Sequence, residues 1–278
     1  MERKLPMAMQ EDDLEPGAEG STDRNFVTAL ARGLDVLRCF RTNDSGLSNS
    51  EIALRTGLPK PTVTRLTYTL CQLDYLIHEA SGTYRLGAGV LQLGYGALAG
   101  IDISDRAVGI MRALQREGPN PNVTVALGER HRLKMIYIAV QRSTADVSLS
   151  MNLGARLPLF HSAMGRAAMC AMPEAERAQL LDAAAAEGRE DMDLVRRNLD
   201  RATEEYARFG YCSSLGDWRP QISGVAVPVV SLNGDRLYAM NLGAPTFLTS
   251  PQELREVYGP RLVAAARALS DVPSGAGR

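Results

Sequence analysis

The sequence predicts an α+β fold in two domains: a small helical domain that ends in a β-hairpin, and a larger domain whose helices flank a mostly antiparallel sheet. The length of 278 residues suits about two domains, each with a modest core. Residues 25–87 contain helical patterns followed by a hairpin pattern. Residues 101–271 then alternate between strand-like and helix-like segments.

Composition excludes several classes of protein. Hydrophobic residues make up 45% of the chain and the formal net charge is −1, as in globular proteins without a strong overall attraction for nucleic acid. No apolar run is long enough to span a bilayer and there is no signal-peptide pattern, so we expect a cytoplasmic protein. The four cysteines are widely spaced, which predicts neither a disulfide framework nor a zinc site, and no cofactor is expected. Cys39 and Cys71 are expected to be buried.

The two ends of the chain are expected to be disordered. Residues 1–24 form an acidic arm with few large apolar residues, and residues 272–278 form a short tail. A first helix is predicted for residues 27–41, because Leu30, Leu34 and Leu37 recur at helical spacing.

Residues 47–65 predict a helix-turn-helix. Ser48 and Glu51 have the spacing of a capping box, which begins a helix at about residues 49–56. Gly57 allows the positive φ of a sharp turn, and Pro61 suits the first turn of a second helix because its missing N–H would be unpaired there. Two short helices therefore meet across a turn of three to four residues.

The second helix has an apolar face and a polar face. Short hydroxyls, an arginine and a tyrosine on the polar face suit base edges and phosphates, although any amphipathic hairpin with a solvated face would show the same pattern. A hairpin pattern at residues 75–86, with its turn at Ser81-Gly82, has the form of a wing and favours DNA binding. The apolar face contains Val63, Leu66, Thr67, Leu70 and Leu73, and the polar face contains Pro61, Thr64, Arg65, Tyr68 and Gln72.

The order and spacing of short motifs resemble the IclR family of bacterial transcriptional regulators over about residues 25–270. In the N-terminal part the resemblance rests on ARGLDVL at residues 31–37, EIA at 51–53, TGLPK at 56–60, Thr62-Val63 with Arg65-Leu66, and YRLG at 84–87. In the C-terminal part it rests on GARLPL at residues 154–159, GRA at 165–167, Gly210-Tyr211, AVP at 226–228 and GAP at 243–245.

This resemblance implies a winged helix-turn-helix domain at residues 25–87 that binds double-stranded operator DNA. It also implies a homodimer, which could pair into a dimer of dimers. For Arg32, a DNA contact and a surface salt bridge are alternatives. The residues expected at the DNA are Arg32, Ser48, Lys60, Thr62, Thr64, Arg65, Tyr68, Ser81 and Arg85.

In the family, residues 88–100 would form a linker helix that contributes to dimerisation. The segment is apolar and rich in glycine, so packing has to stabilise it. Burial in a dimer contact and burial as a plain helix between domains are alternatives for its large apolar residues, which are Val90, Leu91, Leu93, Tyr95 and Leu98.

The remainder, residues 101–271, is expected to be a GAF-like effector-binding domain by the same resemblance. Its hairpin signals are a turn at residues 128–131 and the Asn233-Gly234 dipeptide. Ser162 is predicted to begin a helix that Pro173 ends, and Ser250 to cap a closing helix that reaches about residue 270. Further helices are predicted at residues 104–116, 174–186 and 194–208, and strands at 122–127, 133–140, 147–151, 225–230 and 236–242.

Catalytic motifs are missing from this region. The three histidines of the whole chain, His78, His131 and His161, are dispersed, and there is no zinc-protease, nucleophile-elbow or P-loop pattern, so an enzyme is only weakly supported. There are two alternatives to a regulator: an enzyme that carries a helical hairpin for assembly, and a protein-interaction module.

A ligand pocket fits the sequence better than an active site. Ser162 at a helix start offers a hydroxyl and backbone N–H groups that suit a carboxylate. We therefore expect a transcription factor whose effector is a small organic acid or an aromatic metabolite. Many relatives have small residues at Met164 and larger ones at Gly224, so the cavity is expected to be reshaped. By resemblance the pocket would be lined by Met151, Ser162, Ala163, Met164, Ser214, Trp218, Ile222, Gly224, Asn241 and Gly243.

Overall fold

In a computed structural model, the chain divides into two units, residues 1–100 and residues 101–278. The structure describes residues 25–41, 44–145, 149 and 151–270. The predicted disordered arm at 1–24 and the predicted tail at 272–278 therefore lie outside the described residues. So does most of the strand predicted at 147–151, although Leu149 and Met151 are described and lie outside any strand.

The N-terminal unit is a helix-turn-helix with a small sheet. The strand pairing is antiparallel in the order β1-β3-β2. The predicted capping box is present, since Ser48 accepts from the Glu51 N–H and the Glu51 carboxylate accepts from the Ser48 N–H. Gly57 ends the first helix of the motif with φ of 69°. The elements are α1 (Thr28–Arg38), β1 (Leu47–Ser48), α2 (Asn49–Thr56), α3 (Lys60–Gln72), β2 (Leu76–His78), β3 (Thr83–Leu86) and α4 (Ala88–Ala99).

The core of this unit forms where the three first helices meet. Val36 of α1, Ile52 of α2 and Val63 of α3 are completely buried. Thr67 belongs to the same face as predicted, because its hydroxyl donates to the Val63 carbonyl and is thereby satisfied. Leu73 is 58% exposed, contrary to its predicted place on the apolar face, since it lies just after α3 ends.

The C-terminal unit is built on a six-stranded antiparallel sheet. Its strand order is β6-β5-β4-β9-β8-β7, so β7 lies at one edge. The strands are β4 (Thr124–His131), β5 (Lys134–Gln141), β6 (Arg156–Pro158), β7 (Cys212–Leu215), β8 (Ile222–Val230) and β9 (Leu237–Pro245). The helices are α5 (Asp102–Arg116), α6 (Ala163–Ala171), α7 (Glu174–Glu187), α8 (Met192–Phe209), the short α9 (Pro251–Glu253) and α10 (Gly259–Ser270).

The turn predicted at residues 128–131 is wrong, because β4 continues through them to His131. Gly128 instead marks a β-bulge, where the register with β5 shifts between Leu127 and Gly128. The chain reverses at Arg132, which adopts φ of 51°. A glycine inside a strand pattern fits a bulge as well as a turn, which is why the pattern misplaced the loop.

Helix α6 packs against a sheet surface made of small side chains. Ala126, Ala226 and Ala239 come from β4, β8 and β9 and belong to one buried cluster with Met164 and Met169. The start of the helix also lies close to the segment that leads into it, because a Cβ at Gly165 would lie 2.0 Å from the Leu159 carbonyl oxygen. This close packing fixes the start of α6 against that segment.

Candidate nucleic-acid interface and ligand pocket

The polar face of α3 points away from the N-terminal core. Thr64, Arg65 and Tyr68 are exposed, with 66% of Tyr68 accessible. The Thr64 hydroxyl accepts from the Asn49 side-chain amide at 2.7 Å and donates to the Lys60 carbonyl at 3.0 Å. Asn49 on α2 thus links the two helices of the motif, a role that the sequence reasoning missed.

The other predicted contact residues of the helix-turn-helix differ in their availability. Arg32 and Lys60 are exposed, and neither forms an ion pair with a described residue. Thr62 is half-buried. The Ser48 hydroxyl bonds to the Glu51 carboxylate at 2.6 Å, so the capping box already occupies it. Ser48 is therefore a weaker candidate for a DNA contact than the exposed cations.

The positive charge of Arg85 in the wing is already paired with a carboxylate. Arg85 on β3 forms an exposed ion pair with Glu79. Ser81 is exposed at the tip and its hydroxyl bonds to that of Thr83 at 2.8 Å. Arg85 would have to leave Glu79 to bind a phosphate, so it is a weaker phosphate ligand than a free arginine.

A partly buried ion pair holds the helix-turn-helix in place. The Arg55 guanidinium donates to both Asp44 oxygens, at 2.5 and 2.9 Å, and also to the Cys39 carbonyl. The backbone N–H of Arg41 adds a 2.7 Å bond to Asp44. Burial raises the pKa of the Asp44 carboxyl, but the bonds from Arg55 and Arg41 outweigh it and leave that pKa below its usual value of 3.8.

Ser162 begins α6 as predicted, and its hydroxyl is fully engaged there. It accepts from the Gly165 N–H at 3.1 Å and donates to the Pro158 carbonyl at 2.7 Å. Within the described chain, no acceptor bonds to the N–H groups of Ala163 and Met164. An anion at this helix start would therefore bind these two backbone donors rather than the Ser162 side chain.

The structure brings three other predicted pocket residues into one row across the sheet. Ser214, Gly224 and Gly243 are register partners on β7, β8 and β9. The Ser214 hydroxyl donates to the His161 carbonyl at 2.8 Å, which ties β7 to the residue just before the α6 cap. A Cβ at Gly224 would lie 2.8 Å from the Leu242 carbonyl oxygen, so the close approach of β9 favours glycine there, and the Leu149 side chain lies over Gly243.

Asn241 is a buried polar residue on β9 with unused hydrogen-bonding capacity. Its amide nitrogen donates to the Tyr137 hydroxyl at 3.0 Å, and its carbonyl oxygen is buried without a partner. Both residues are more than nine-tenths buried, and burial raises the pKa of Tyr137. In either orientation of the Asn241 amide, the pair has at least one donor and one acceptor left. Tyr137 was not among the predicted site residues.

The remaining predicted lining residues are largely core. Met151 is 8% exposed and Met164 is completely buried, with its sulfur against Gly128. Trp218 and Ile222 are half-buried, and the Arg219 guanidinium lies over the Trp218 ring at 4.7 Å. Met164 therefore occupies space that a ligand near the start of α6 would need.

Arg166 is the main site residue that sequence reasoning missed. It is 1% exposed, and its guanidinium bonds to the Phe160 carbonyl at 3.2 Å, the Ser213 carbonyl at 2.8 Å and Asp217 at 2.6 Å. Burial raises the pKa of Asp217, but Arg166 and Arg201 outweigh it and lower that pKa. One Arg166 nitrogen has no partner. A single charge within an otherwise apolar helix was the available signal.

Two negative findings bear on function. No helix of the described residues is both long and apolar enough to cross a membrane. Across the same part of the chain, histidine, cysteine and carboxylate side chains nowhere gather in a group of three that could hold a metal ion.

Cys39 is buried as predicted, whereas Cys71 is only half-buried.

Models of known protein families match both parts of the chain. The model described as IclR helix-turn-helix domain matches residues 29–79, and the model described as bacterial transcriptional regulator IclR C-terminal matches residues 95–271. The HTH-type transcriptional regulator TsaQ1/TsaQ2 of Comamonas testosteroni is 32% identical over 241 residues, which cover 85% of each chain.

Solved structures show the same fold. An IclR family transcriptional regulator from Brucella abortus is 41% identical with a TM-score of 0.78, over 92% of this chain and 96% of that one. An IclR homologue from Microbacterium hydrocarbonoxydans, crystallised with 4-hydroxybenzoate, is 23% identical with a TM-score of 0.62, over 86% of this chain and 99% of that one. The second likeness concerns the fold alone.

Proposed function

This chain belongs to the IclR family of DNA-binding transcriptional regulators, and we propose that a small hydroxylated organic acid, bound at the start of α6, controls its binding to operator DNA. Membership of a family of regulators sets aside the enzyme considered above.

Helix α3 is proposed to lie in the major groove. The support is its exposed polar face, where Thr64, Arg65 and Tyr68 project and the facing helix α2 holds Thr64 through Asn49. Arg32, Lys60 and Thr62 are proposed at phosphates, with Ser81 and Arg85 of the wing at the edge of the interface. Ser48 is proposed to act mainly by beginning α2.

A homodimer is proposed, formed through exposed apolar surface of the N-terminal unit. Leu91 and Tyr95 of α4 are 75% and 72% exposed, and no residue of α4 is buried in the described chain. Leu30 of α1 is 63% exposed. Such surface is costly in water and marks an interaction site, and a twofold pair of domains would present two reading helices to two half-sites. Pairing of dimers into tetramers is a further possibility that light scattering would decide.

The effector proposal is carried by the unpartnered buried oxygen of Asn241. The Asn241–Tyr137 pair offers both a donor and an acceptor, so it matches a hydroxyl group, which donates and accepts, better than a carboxylate, which only accepts. The N–H groups of Ala163 and Met164 offer an anion site under the positive end of the helix. A ligand with a carboxylate at one end and a hydroxyl at the other satisfies both.

The middle of the ligand would be apolar. Met151, Met164, Trp218 and Ile222 supply apolar surface, and the 4-hydroxybenzoate in the Microbacterium homologue has this arrangement of groups. Met164 would have to change rotamer to admit such a ligand, which an unbranched side chain does at low cost. Because a ligand shifts an equilibrium only through differential affinity, it must bind DNA-competent and DNA-incompetent arrangements unequally.

The test compares ligands that differ in a single hydroxyl. Isothermal titration calorimetry with 4-hydroxybenzoate against benzoate, and with lactate against propionate, should show at least one hydroxy acid that binds roughly tenfold or more tightly than its partner. Asn241→Leu should abolish that difference, and Trp218→Ala should weaken both members. Equal affinities within every pair would contradict the hydroxyl site. Binding without any effect on operator affinity in a gel-shift titration would contradict the regulatory role.

A further inference from the structure

Two cysteines of the C-terminal unit lie side by side although they are 42 positions apart in the sequence. The sulfur of Cys212, on edge strand β7, is 3.8 Å from the sulfur of Cys170, on the last turn of α6. Cys212 is completely buried and Cys170 partly so. A disulfide needs the sulfurs at about 2.05 Å, and a contact at 3.8 Å brings the two sulfurs close to that bond.

The surroundings give the two thiols different roles. Cys212 is placed to donate to the Cys170 sulfur and also faces the Ala202 carbonyl at 3.6 Å, so both neighbours favour its protonated form. That donated bond, together with the charges of Arg177 and Arg166, lowers the pKa of Cys170 despite its burial. The pKa of Cys212 is raised, first by its bond to Cys170 and then by burial. Cys170 is therefore the thiol that ionises first.

We propose that Cys170 and Cys212 form an oxidisable dithiol that hydroperoxides convert into an intramolecular disulfide between α6 and β7. The Cys170 thiolate attacks a peroxide oxygen, the O–O bond breaks, and the departing oxygen takes a proton and leaves as water or alcohol. Cys170 becomes a sulfenic acid. The Cys212 sulfur then attacks the Cys170 sulfur, the S–O bond breaks, and the departing hydroxide leaves as water with the Cys212 proton. Two electrons pass from the thiols to the peroxide.

The other two cysteines provide an internal control. Burial raises the pKa of Cys39 to about 11, and the Cys39 thiol donates to the Val36 carbonyl. Burial also raises the pKa of Cys71. Neither thiol has a sulfur neighbour among the described residues, so both should react with peroxide more slowly than Cys170.

The first experiment uses the wild-type chain. After treatment with one equivalent of hydrogen peroxide and alkylation of the remaining thiols, peptide mass spectrometry should find the Cys170 and Cys212 peptides joined, with Cys39 and Cys71 alkylated. The thermal midpoint of the C-terminal unit should rise by on the order of 10 °C and return after reduction with dithiothreitol, because the bond closes a long loop. Separate alkylation of Cys170 and Cys212 would overturn the proposal, as would a disulfide between two chains on a non-reducing gel.

Matched variants assign the two roles. In Cys212→Ser the sulfenic acid on Cys170 should persist and be trapped by dimedone, and in Cys170→Ser the peroxide consumption should fall to the level of the remaining thiols. The double variant Cys39→Ser with Cys71→Ser should form the disulfide at the wild-type rate. Loss of the disulfide in that double variant, or dimedone labelling confined to Cys212, would also overturn the proposal. These measurements do not depend on effector binding, so they test the disulfide separately from the proposed function.

Discussion

Replacing Arg65 with alanine removes an exposed guanidinium from the outward face of α3 while leaving the N-terminal core intact. The Arg65 guanidinium forms no hydrogen bond or ion pair with a described residue, so the substitution should change the free energy of unfolding by less than about 0.5 kcal/mol. Its effect should therefore appear in DNA binding. An arginine that contacts a guanine edge with two bonds contributes about 1–3 kcal/mol of discrimination.

In a dimer the loss occurs at both half-sites. The expected loss of binding free energy is about 2–6 kcal/mol, which raises the dissociation constant at least roughly 25-fold. Fluorescence anisotropy at fixed salt would measure it, with an operator that the wild-type protein selects from random DNA. Arg38→Ala is the matched control: Arg38 is also exposed in the same unit but pairs with Asp35 at 3.6 Å, and its loss should change affinity less than about threefold.

Two results would refute this reasoning. Unchanged operator affinity of Arg65→Ala, in a protein with an unaltered circular dichroism spectrum, would remove α3 as the reading helix. An equal loss of affinity for operator and random DNA would show that Arg65 contacts a phosphate rather than a base edge. The salt dependence of binding would then fall by about one counterion per half-site.

Three further outcomes are expected. Asp44→Asn should lower the free energy of unfolding of the N-terminal unit by about 2–3 kcal/mol at pH 7 in urea unfolding, because it breaks the charged bonds to Arg55. The pKa of Asp44 in the folded protein lies below 3.8. The difference from wild type should therefore persist above pH 3.8 and vanish as the pH falls through the pKa of the folded protein. Gly165→Ala should cost about 3 kcal/mol or more by forcing backbone apart, whereas Gly109→Ala, in α5 of the same unit with open space around it, should be neutral or stabilising. Leu91→Glu should shift the protein toward monomer in sedimentation velocity, and an unchanged dimer would exclude α4 from the contact.

The helix-turn-helix could be predicted from sequence because its signals are local. The capping box joins residues three positions apart, and Gly57 marks the turn by its own backbone conformation. The faces of α3 follow from a period that any helix repeats. Strand β1 escaped prediction, since two residues are too few for a pattern and its partner, β3, lies more than thirty positions later.

The C-terminal unit was predicted as a class of fold but not as a site. The Ser162 cap and the Asn233-Gly234 turn are local and were predicted, whereas the roles of Arg166 and Tyr137 depend on partners far along the chain. Arg166 bonds to Ser213, 47 positions later, and Tyr137 to Asn241, 104 positions later. No spacing rule connects residues across such distances. Ser162 itself was assigned to the ligand, but folding uses its hydroxyl for the cap and leaves the backbone donors to the anion.

Strand β7 and helix α6 are connected at three points along their contact, and these contacts give a path by which the proposed ligand at the start of α6 would shift β7. Ser214 bonds to the His161 carbonyl before the helix, Arg166 bonds to the Ser213 carbonyl in its middle, and Cys212 faces Cys170 at its end. A carboxylate that binds the first N–H groups of α6 would pull on the helix start, and these contacts would transmit the shift to β7. Because the two hydrogen bonds are short and all three contacts are buried or partly buried, the pair should move as a unit rather than deform.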